Sequence, residues 1–212
     1  MPIAAQHIKA ARLHLQKNDA VMKRIIKAVG PCTLKTRSDR FRTLVNSIVS
    51  QQISGAAART ILRRLADASR QYGGVSPEGL SAFDVESLRE LGVSRQKAGY
   101  ILDLTDKVHS GEVELRQMGR RSNEEVIEQL TKIKGIGVWT AQMFLMFSLG
   151  RLDVFPADDL GVQNAIKNAY PVRGELTRPK MLKLADSWHP YETIAAWYLW
   201  RSLEVELPMA KK

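Results

Sequence analysis

Apolar residues recur every three or four positions along most of this chain, which is the spacing of one face of an α-helix. The clearest example is the set Phe41, Leu44, Val45, Ile48 and Val49. The same period predicts further helices over residues 13–29, 57–65, 84–91, 94–108, 122–130, 138–149, 160–169, 178–188 and 190–204. Only the short stretch 151–155 has the composition of a strand. About ten helices without a founding sheet predict an all-α fold.

Local signals mark where several of these helices begin and end. Ser122 and Glu125 have the spacing of a capping box, and Ser94 precedes an apolar run as an N-cap does. Gly30 followed by Pro31 ends the first helix. The pattern predicts two helical lobes with a ligand-binding cleft between them. The central lobe covers about residues 35–120, the second lobe covers 1–34 plus 121–212, and the tail 207–212 is expected to fray.

The charge of the chain indicates a polyanionic partner. Its 212 residues include 32 Lys and Arg against 22 Asp and Glu, which gives a net charge of +10 and a pI of 9.9. Nucleic acid is the first candidate, and the alternative is a basic surface that serves only solubility. The single cysteine, Cys32, excludes an internal disulfide, a four-cysteine zinc site and an iron–sulfur cluster. We therefore expect no cofactor.

No apolar run approaches the roughly 20 residues that a membrane-spanning helix needs. The N-terminal residues also lack the apolar core of a signal peptide. We expect a soluble, intracellular protein with no membrane partner, located in the cytoplasm or nucleoid, or in the nucleus of a eukaryote. We expect it to be a monomer.

Two glycines lie in a turn between two helices, in the sequence Lys132-Ile-Lys-Gly-Ile-Gly137. Gly135 and Gly137 allow positive φ and the close approach of another backbone. The following helix start offers unsatisfied N–H groups to a phosphate, and Lys132 and Lys134 add positive charge. The alternative is a tight helical hairpin in which the glycines serve only the turn.

At this turn the chain resembles the helix–hairpin–helix superfamily of base-excision DNA glycosylases, and most closely its 3-methyladenine DNA glycosylase II branch. The resemblance rests on LTKIKGIGVWTAQMFLMFSLGRLDVFPADDLGV, LGVSRQKAGYILDL, LVNSIVSQQISGAAA and WHPYETIAAWYLWRSL, which cover about residues 40–204. It implies that double-stranded DNA contacts Lys132, Lys134, Gly135, Ile136, Gly137 and Thr140. It also allows a monovalent cation on the backbone carbonyls of Ile133 and Ile136.

The resemblance assigns the catalytic carboxylate to Asp159. Breaking an N-glycosidic bond builds positive charge on the sugar, which a fixed anion stabilises, and the same group can orient or deprotonate water. Asp158 and Asp153 compete for this role. Asp158 also suits the N-cap of the next helix.

The resemblance assigns Trp139, Trp200 and Met143 to the pocket of the flipped base. An alkylated purine is cationic and stacks well on an indole. Trp139 replaces the lysine that forms a Schiff base in strand-cutting relatives, so the implied chemistry is hydrolysis alone. The alternative is that both tryptophans are core residues.

Gln51 and Gln52 match the segment that fills the gap left by the flipped base. Gln52 takes the position of the wedge, where longer bacterial members carry an apolar residue, and Gln51 is placed to contact the opposite base. The alternative is that both glutamines cap or solvate a helix end.

The leading hypothesis is a monofunctional DNA glycosylase that removes 3-methyladenine and 7-methylguanine types of base in base-excision repair. The alternatives are a non-catalytic helix–hairpin–helix DNA-binding protein and a glycosylase with a different lesion range. A lyase related to endonuclease III is disfavoured by Trp139 and by the missing cluster cysteines.

Overall fold

The computed structural model describes residues 3–172 and 174–206, so the tail that was expected to fray lies outside the described residues. Within them the fold is all-α, as predicted, and residues 151–155 are irregular rather than a strand. The α-helices are α1 Ala5–Asn18, α2 Ala20–Val29, α3 Arg40–Ser50, α4 Gly55–Ser69, α5 Pro77–Leu80, α6 Val85–Glu90, α7 Arg95–His109, α8 Asn123–Thr131, α9 Val138–Phe144, α10 Leu160–Ala169, α11 Arg178–Ala185 and α12 Glu192–Ser202.

Short segments of other helix types extend several of these elements. Helix α9 continues as a π-helix over Leu145–Leu149. Three-residue 3₁₀ segments cover Arg70–Tyr72, Met118–Arg120 and Asp186–Trp188. Among the described residues, no helix is both long enough and apolar enough to cross a membrane.

The predicted helix boundaries are confirmed at three places. The Ser122 N–H donates to Glu125 Oε2 at 2.7 Å, and the Glu125 N–H donates to Ser122 Oγ at 3.1 Å, which completes the capping box. Ser94 Oγ accepts from the Lys97 N–H at the start of α7. Gly30 ends α2 with a φ of 85°, a conformation that glycine adopts without steric cost.

The prediction of a single helix over residues 13–29 is wrong, because the helix is interrupted at Asp19. This residue is extended, with φ −142° and ψ 110°, and its Oδ1 accepts from the N–H groups of Val21 and Met22 at 2.8 and 2.9 Å. An aspartate that caps in this way starts a new helix. The apolar period continues across the break, so periodicity alone does not reveal it.

The chain divides into two compact units. The terminal unit consists of Met1–Thr36 with Leu145–Lys212, and the central unit is Arg37–Phe144. The predicted central lobe ended near residue 120 and left the hairpin in the other lobe. The observed central unit includes the hairpin, because α8 packs on α9 and α9 packs on α3.

Helix α7 lies at the middle of the central unit, where it packs against α3, α5 and α6. Its fully buried side chains are Ala98, Ile101, Leu104 and Thr105. In the terminal unit, α12 packs against α2 and α10 and is buried over most of its length. Each unit therefore has its own apolar core.

Asp19 also joins distant parts of the terminal unit. Its Oδ2 accepts from the Tyr170 hydroxyl at 2.7 Å and from Trp188 Nε1 at 2.8 Å. Burial, followed by the adjacent Asp19 carboxylate, raises the pKa of Tyr170 far above its usual value. The tyrosine therefore stays protonated and remains a hydrogen-bond donor.

Candidate active site

The hairpin lies between α8 and α9, and its two glycines differ in what the fold requires of them. Gly135 has a φ of 78°, and a Cβ placed there would lie 2.1 Å from Cδ2 of Tyr100. Gly137 is exposed, and a Cβ on it would meet no atom within 4 Å. The turn alone explains Gly135, whereas Gly137 leaves a bare peptide on the surface.

The two lysines of the hairpin are exposed and carry weak ion pairs. Lys132 Nζ lies 3.9 Å from Glu128 Oε1, and Lys134 Nζ lies 3.7 Å from Asp103 Oδ1. The Lys134 N–H donates to Asp103 Oδ2 at 2.9 Å. Burial alone would raise the pKa of Asp103, but this hydrogen bond and the neighbouring lysines lower it overall. Asp103 is therefore anionic and holds the hairpin to α7.

The remaining hairpin residues face inward. The side chains of Ile136 and Thr140 are only 4% and 5% exposed, so Ile136 can reach a partner only through its backbone. Burial of Thr140 favours packing over the expected DNA contact. The Ile133 carbonyl accepts from the Ile136 N–H at 3.1 Å. A carbonyl oxygen has two lone pairs, so the predicted monovalent cation is compatible with this turn and stays a prediction.

The loop after α3 is held rigidly and presents Gln52. Gln51 Nε2 donates to the Gly135 carbonyl at 2.9 Å, which ties the loop to the hairpin. Lys97 Nζ donates to the carbonyls of Val49 and Gln51, and desolvation lowers the pKa of this lysine. Gln52 is exposed with a φ of 53°. Such strain in a non-glycine residue is typical of functional sites.

Four of the predicted site residues line one groove of about 480 Å³ in the central unit. These are Gln51, Gln52, Trp139 and Met143, and the groove is completed by Arg37, Asn46, Ser47 and Ser50. We call it the Trp139 groove. Trp139 is 45% exposed, so the alternative of a core tryptophan is wrong at this position. Sequence reasoning missed Arg37, Asn46, Ser47 and Ser50. The only signal for them in the sequence is that Asn46 and Ser50 are polar residues one turn apart on α3.

The terminal unit holds the predicted carboxylate in a buried and fixed position. Asp159 is 9% exposed, and its Oδ1 accepts from the Val162 N–H at 2.8 Å and from Trp200 Nε1 at 2.8 Å. Asp159 is therefore the N-cap of α10, and the interpretation of Asp158 as that cap is wrong. Asp158 is exposed and forms an ion pair with Arg178, and Asp153 is also exposed.

Trp200 lies directly against this carboxylate. Its ring is half-buried and tilted against Phe147, with 5.9 Å between ring centroids. A Cβ at Gly161 would lie 2.9 Å from Trp200 Cδ1 and 3.0 Å from Asp159 Oδ1. The glycine thus makes room for the indole and the carboxylate to meet. Sequence reasoning missed Gly161, for which a glycine in the first turn of a helix was the only signal.

This arrangement provides a buried anion aimed by two N–H donors. Charge-assisted hydrogen bonds of this kind are about twice as strong as neutral ones. A carboxylate held in this way needs little reorganisation when positive charge develops nearby, which is the requirement for electrostatic catalysis. Among the described residues, no cluster of His, Cys, Asp and Glu could hold a metal ion.

Comparison with known proteins identifies the relationship. A family model described as "HhH-GPD superfamily base excision DNA repair protein" matches residues 45–190. DNA-3-methyladenine glycosylase 1 of Schizosaccharomyces pombe is 36% identical, over 91% of this chain and 86% of its own length.

Two solved structures have the same fold. The S. pombe 3-methyladenine DNA glycosylase in complex with abasic DNA has a TM-score of 0.81 at 35% identity, covering 92% of this chain and 97% of that chain. A DNA-3-methyladenine glycosidase of Bacillus halodurans has a TM-score of 0.80 at 37% identity, covering 92% of this chain and 94% of that one. From the family match and these similarities, the chain belongs to the HhH-GPD superfamily of base-excision DNA repair proteins.

Proposed function

We propose that the protein is a monofunctional DNA glycosylase that hydrolyses the N-glycosidic bond of alkylated bases, of the 3-methyladenine and 7-methylguanine type. The observation that carries this proposal is the buried Asp159, with Oδ1 fixed at 2.8 Å by both Val162 N and Trp200 Nε1. The N-cap role of Asp159 accounts for the Val162 hydrogen bond, whereas the second donor, Trp200 Nε1, holds the carboxylate beyond what a helix cap needs. The relatives named for this activity support the same conclusion.

Double-stranded DNA docks on the hairpin in this proposal. The exposed peptide at Gly137 and the lysines beside it suit a phosphate backbone, and the +10 charge of the chain favours association with any sequence. The related structure in complex with abasic DNA supports the same partner. The protein acts as a monomer on DNA inside the cell.

The target nucleotide then flips out of the DNA double helix. Extrusion costs a few kcal/mol of unstacking, and Gln52 offsets part of this cost by entering the gap. Because it lies on a loop held by Gln51 and Lys97, little conformational entropy is lost when Gln52 inserts. The cleft expected between the lobes stays a prediction.

The lesion itself contributes to selection. Alkylation at N3 or N7 makes a purine cationic and weakens its glycosidic bond, and the exposed face of Trp139 attracts such a ring. Asp159 stabilises the positive charge that grows on the sugar as the bond breaks. Water then attacks the sugar, and the products are the free base and an intact abasic site.

The test is to incubate the protein with methylated duplex DNA and to identify the released bases and the state of the strand. Release of 3-methyladenine and 7-methylguanine without strand cleavage supports the proposal. Borohydride should trap no enzyme–DNA adduct, because Trp139 stands at the position of the Schiff-base lysine. Efficient trapping would show that an amine such as Lys132 or Lys134 attacks the sugar, and absence of any base release would leave only DNA binding.

A further inference from the structure

A second groove in the central unit carries three exposed arginines. It has a volume of about 470 Å³ between α3 and α4. Arg37, Arg42 and Arg59 line it, together with the hydrogen-bonding side chains of Asn46 and Ser50. We call it the arginine groove. Arg42 and Arg59 belong to neither the hairpin, the Trp139 groove nor the Asp159 site.

The positive charge of the arginine groove is not neutralised within the protein. Among residues 3–172 and 174–206, no carboxylate lies within ion-pair distance of Arg37, Arg42 or Arg59. Asp39 is the one acidic residue in the lining, and its Oδ1 accepts from the Arg42 N–H at 3.0 Å as the N-cap of α3. Three guanidinium groups against one carboxylate leave a net charge that suits an anion.

The arginine groove shares part of its lining with the Trp139 groove. Arg37, Asn46 and Ser50 line both. On one side of these residues lie Trp139 and Met143 of α9, which follows the hairpin. On the other side lie Gly55 and Arg59 of α4. Helix α3 and the Gln51–Gln52 loop thus lie between the hairpin side and the arginine groove.

We propose that the arginine groove binds phosphates of the DNA strand opposite the lesion. This inference rests on the proposed function, which places the lesion strand on the hairpin and Gln52 in the gap. With the lesion strand on one side of α3, the complementary strand comes to the other. Arg42, Asn46 and Ser50 are spaced four residues apart on one face of α3 and span about 12 Å. Because one strand carries a phosphate per about 3.4 Å of helix axis, about three phosphates fit this length.

The test compares wild type with the triple variant Arg37→Gln, Arg42→Gln, Arg59→Gln. The probe is a duplex with one tetrahydrofuran abasic analogue, and Kd is measured by fluorescence anisotropy over a series of salt concentrations. We expect the triple variant to bind about tenfold more weakly, with a log K against log salt slope lower by about 2.7. Binding of the single lesion strand alone should change by less than about twofold, because it lacks the opposite phosphates.

The matched control is Arg70→Gln with Arg89→Gln. Both residues are exposed in the same unit, but each is already ion-paired, with Asp67 at 2.9 Å and Glu86 at 2.7 Å respectively. This variant loses two positive charges away from the groove, against three in the triple variant, and should bind nearly as the wild type does. An equal loss per arginine in both variants would mean that only total charge matters, and the proposal would be wrong.

The strand is identified with uncharged methylphosphonates, placed in the lesion strand or in the opposite strand of the probe. Wild type should lose affinity for the opposite-strand duplex, and the triple variant should lose almost none. The assignment is wrong if the triple variant instead becomes insensitive to methylphosphonates in the lesion strand. It is also wrong if the triple variant binds the unmodified duplex as tightly as wild type does. If the triple variant unfolds, the single Arg59→Gln variant goes through the same cycle.

Base release by wild type, measured in parallel, separates this inference from the proposed function. If wild type releases bases normally but opposite-strand methylphosphonates weaken wild type and the triple variant equally, only the proposal for the arginine groove is wrong. The expected effect of opposite-strand methylphosphonates without any base release refutes the proposed enzyme and leaves the groove as a DNA-binding surface.

Discussion

The hairpin and the segment that ends at Asp159 both lead into a helix, but the hairpin exposes its backbone, whereas the second segment buries a side chain and holds it in place. At the hairpin, the peptide at Gly137 lies open to solvent beside the exposed Lys132 and Lys134, and Ile136 faces inward. At Asp159, the side chain is buried and held by Val162 and Trp200. An exposed backbone suits contacts with DNA of any base sequence, whereas a buried and hydrogen-bonded carboxylate suits a charge that must act at one fixed point.

The glycines make the same distinction. The rings of Tyr100 and Trp200 and the Asp159 carboxylate leave no room for a Cβ at Gly135 or Gly161, whereas a Cβ at Gly137 would meet no atom within 4 Å. A glycine that its own fold does not need is therefore better evidence for a partner than one at a strained turn. The following changes test this division between docking and catalysis.

The largest effect is expected from Asp159→Asn. Asparagine keeps the size of the side chain and is also a favoured N-cap, so the start of α10 should survive while the negative charge is lost. Base release in single turnover should fall by about 10²–10³. Binding to the abasic-analogue duplex should be unchanged or slightly tighter, because one negative charge near phosphates is gone.

The control is Asp158→Asn, which breaks only the ion pair with Arg178. Both side chains are about half exposed, at 56% and 52%, so the cost in stability should be about 0–1 kcal/mol. If Asp158→Asn abolishes base release while Asp159→Asn does not, the catalytic assignment is wrong by one residue. If neither variant loses activity, the glycosylase proposal fails.

Trp200→Phe separates positioning of the carboxylate from stacking on the base. Phenylalanine keeps an aromatic face but removes the N–H that donates to Asp159 at 2.8 Å. A hydrogen bond to a charged group contributes about 1.5–3 kcal/mol, so base release should fall about ten- to hundredfold. The loss should be similar for a cationic lesion and for neutral hypoxanthine. A loss confined to cationic lesions would show that Trp200 acts by stacking, as the sequence resemblance implied.

Gly135→Ala and Gly137→Ala form a matched pair for stability. Alanine at position 135 must adopt a φ of 78° and meet the Tyr100 ring, so the free energy of unfolding should drop by about 1–3 kcal/mol. Alanine at position 137 meets no protein atom, and the free energy of unfolding should change by less than about 0.5 kcal/mol. Urea unfolding measures both, and equal destabilisation would assign Gly137 to the turn.

Gly137→Asp should have a small effect, and that effect should be on DNA binding alone. A carboxylate about 4 Å from a phosphate costs about 1 kcal/mol in water, so Kd for duplex DNA should rise about fivefold or somewhat more. Gly137→Asn is the neutral control for bulk. Unchanged affinity in a normally folded Gly137→Asp variant would show that DNA docks elsewhere.

Most of the helices could be predicted, because burial of one face imposes a regular spacing on the sequence. Capping residues such as Ser94 and Ser122 could be predicted for the same local reason, since their hydrogen bonds reach only three residues along the chain. The break at Asp19 was missed because the apolar face of α2 continues that of α1. The polar residue Asp19, rather than the spacing of the apolar residues, marks the break between the two helices.

The contacts that position the site could not be predicted, because they join residues far apart in sequence. Trp200 meets Asp159 across 41 positions, and Gln51 meets Gly135 across 84. Resemblance assigned Trp200 to the pocket of the base but gave no indication of its bond to the carboxylate. Two adjacent aspartates likewise look alike in sequence, and only packing shows that Asp159 is buried and Asp158 is exposed.

The hydrogen bonds of Asp19 also set the order in which the molecule can be assembled during synthesis. Tyr170 and Trp188 lie 151 and 169 positions after it, so the first two helices emerge from the ribosome long before their partners do. The central unit is continuous in sequence and can fold on its own contacts in that interval. Because contacts between distant residues form slowly, we expect the unit that carries Asp159 to close last. A nascent chain of this protein should therefore acquire its candidate DNA-docking surface before its candidate catalytic carboxylate.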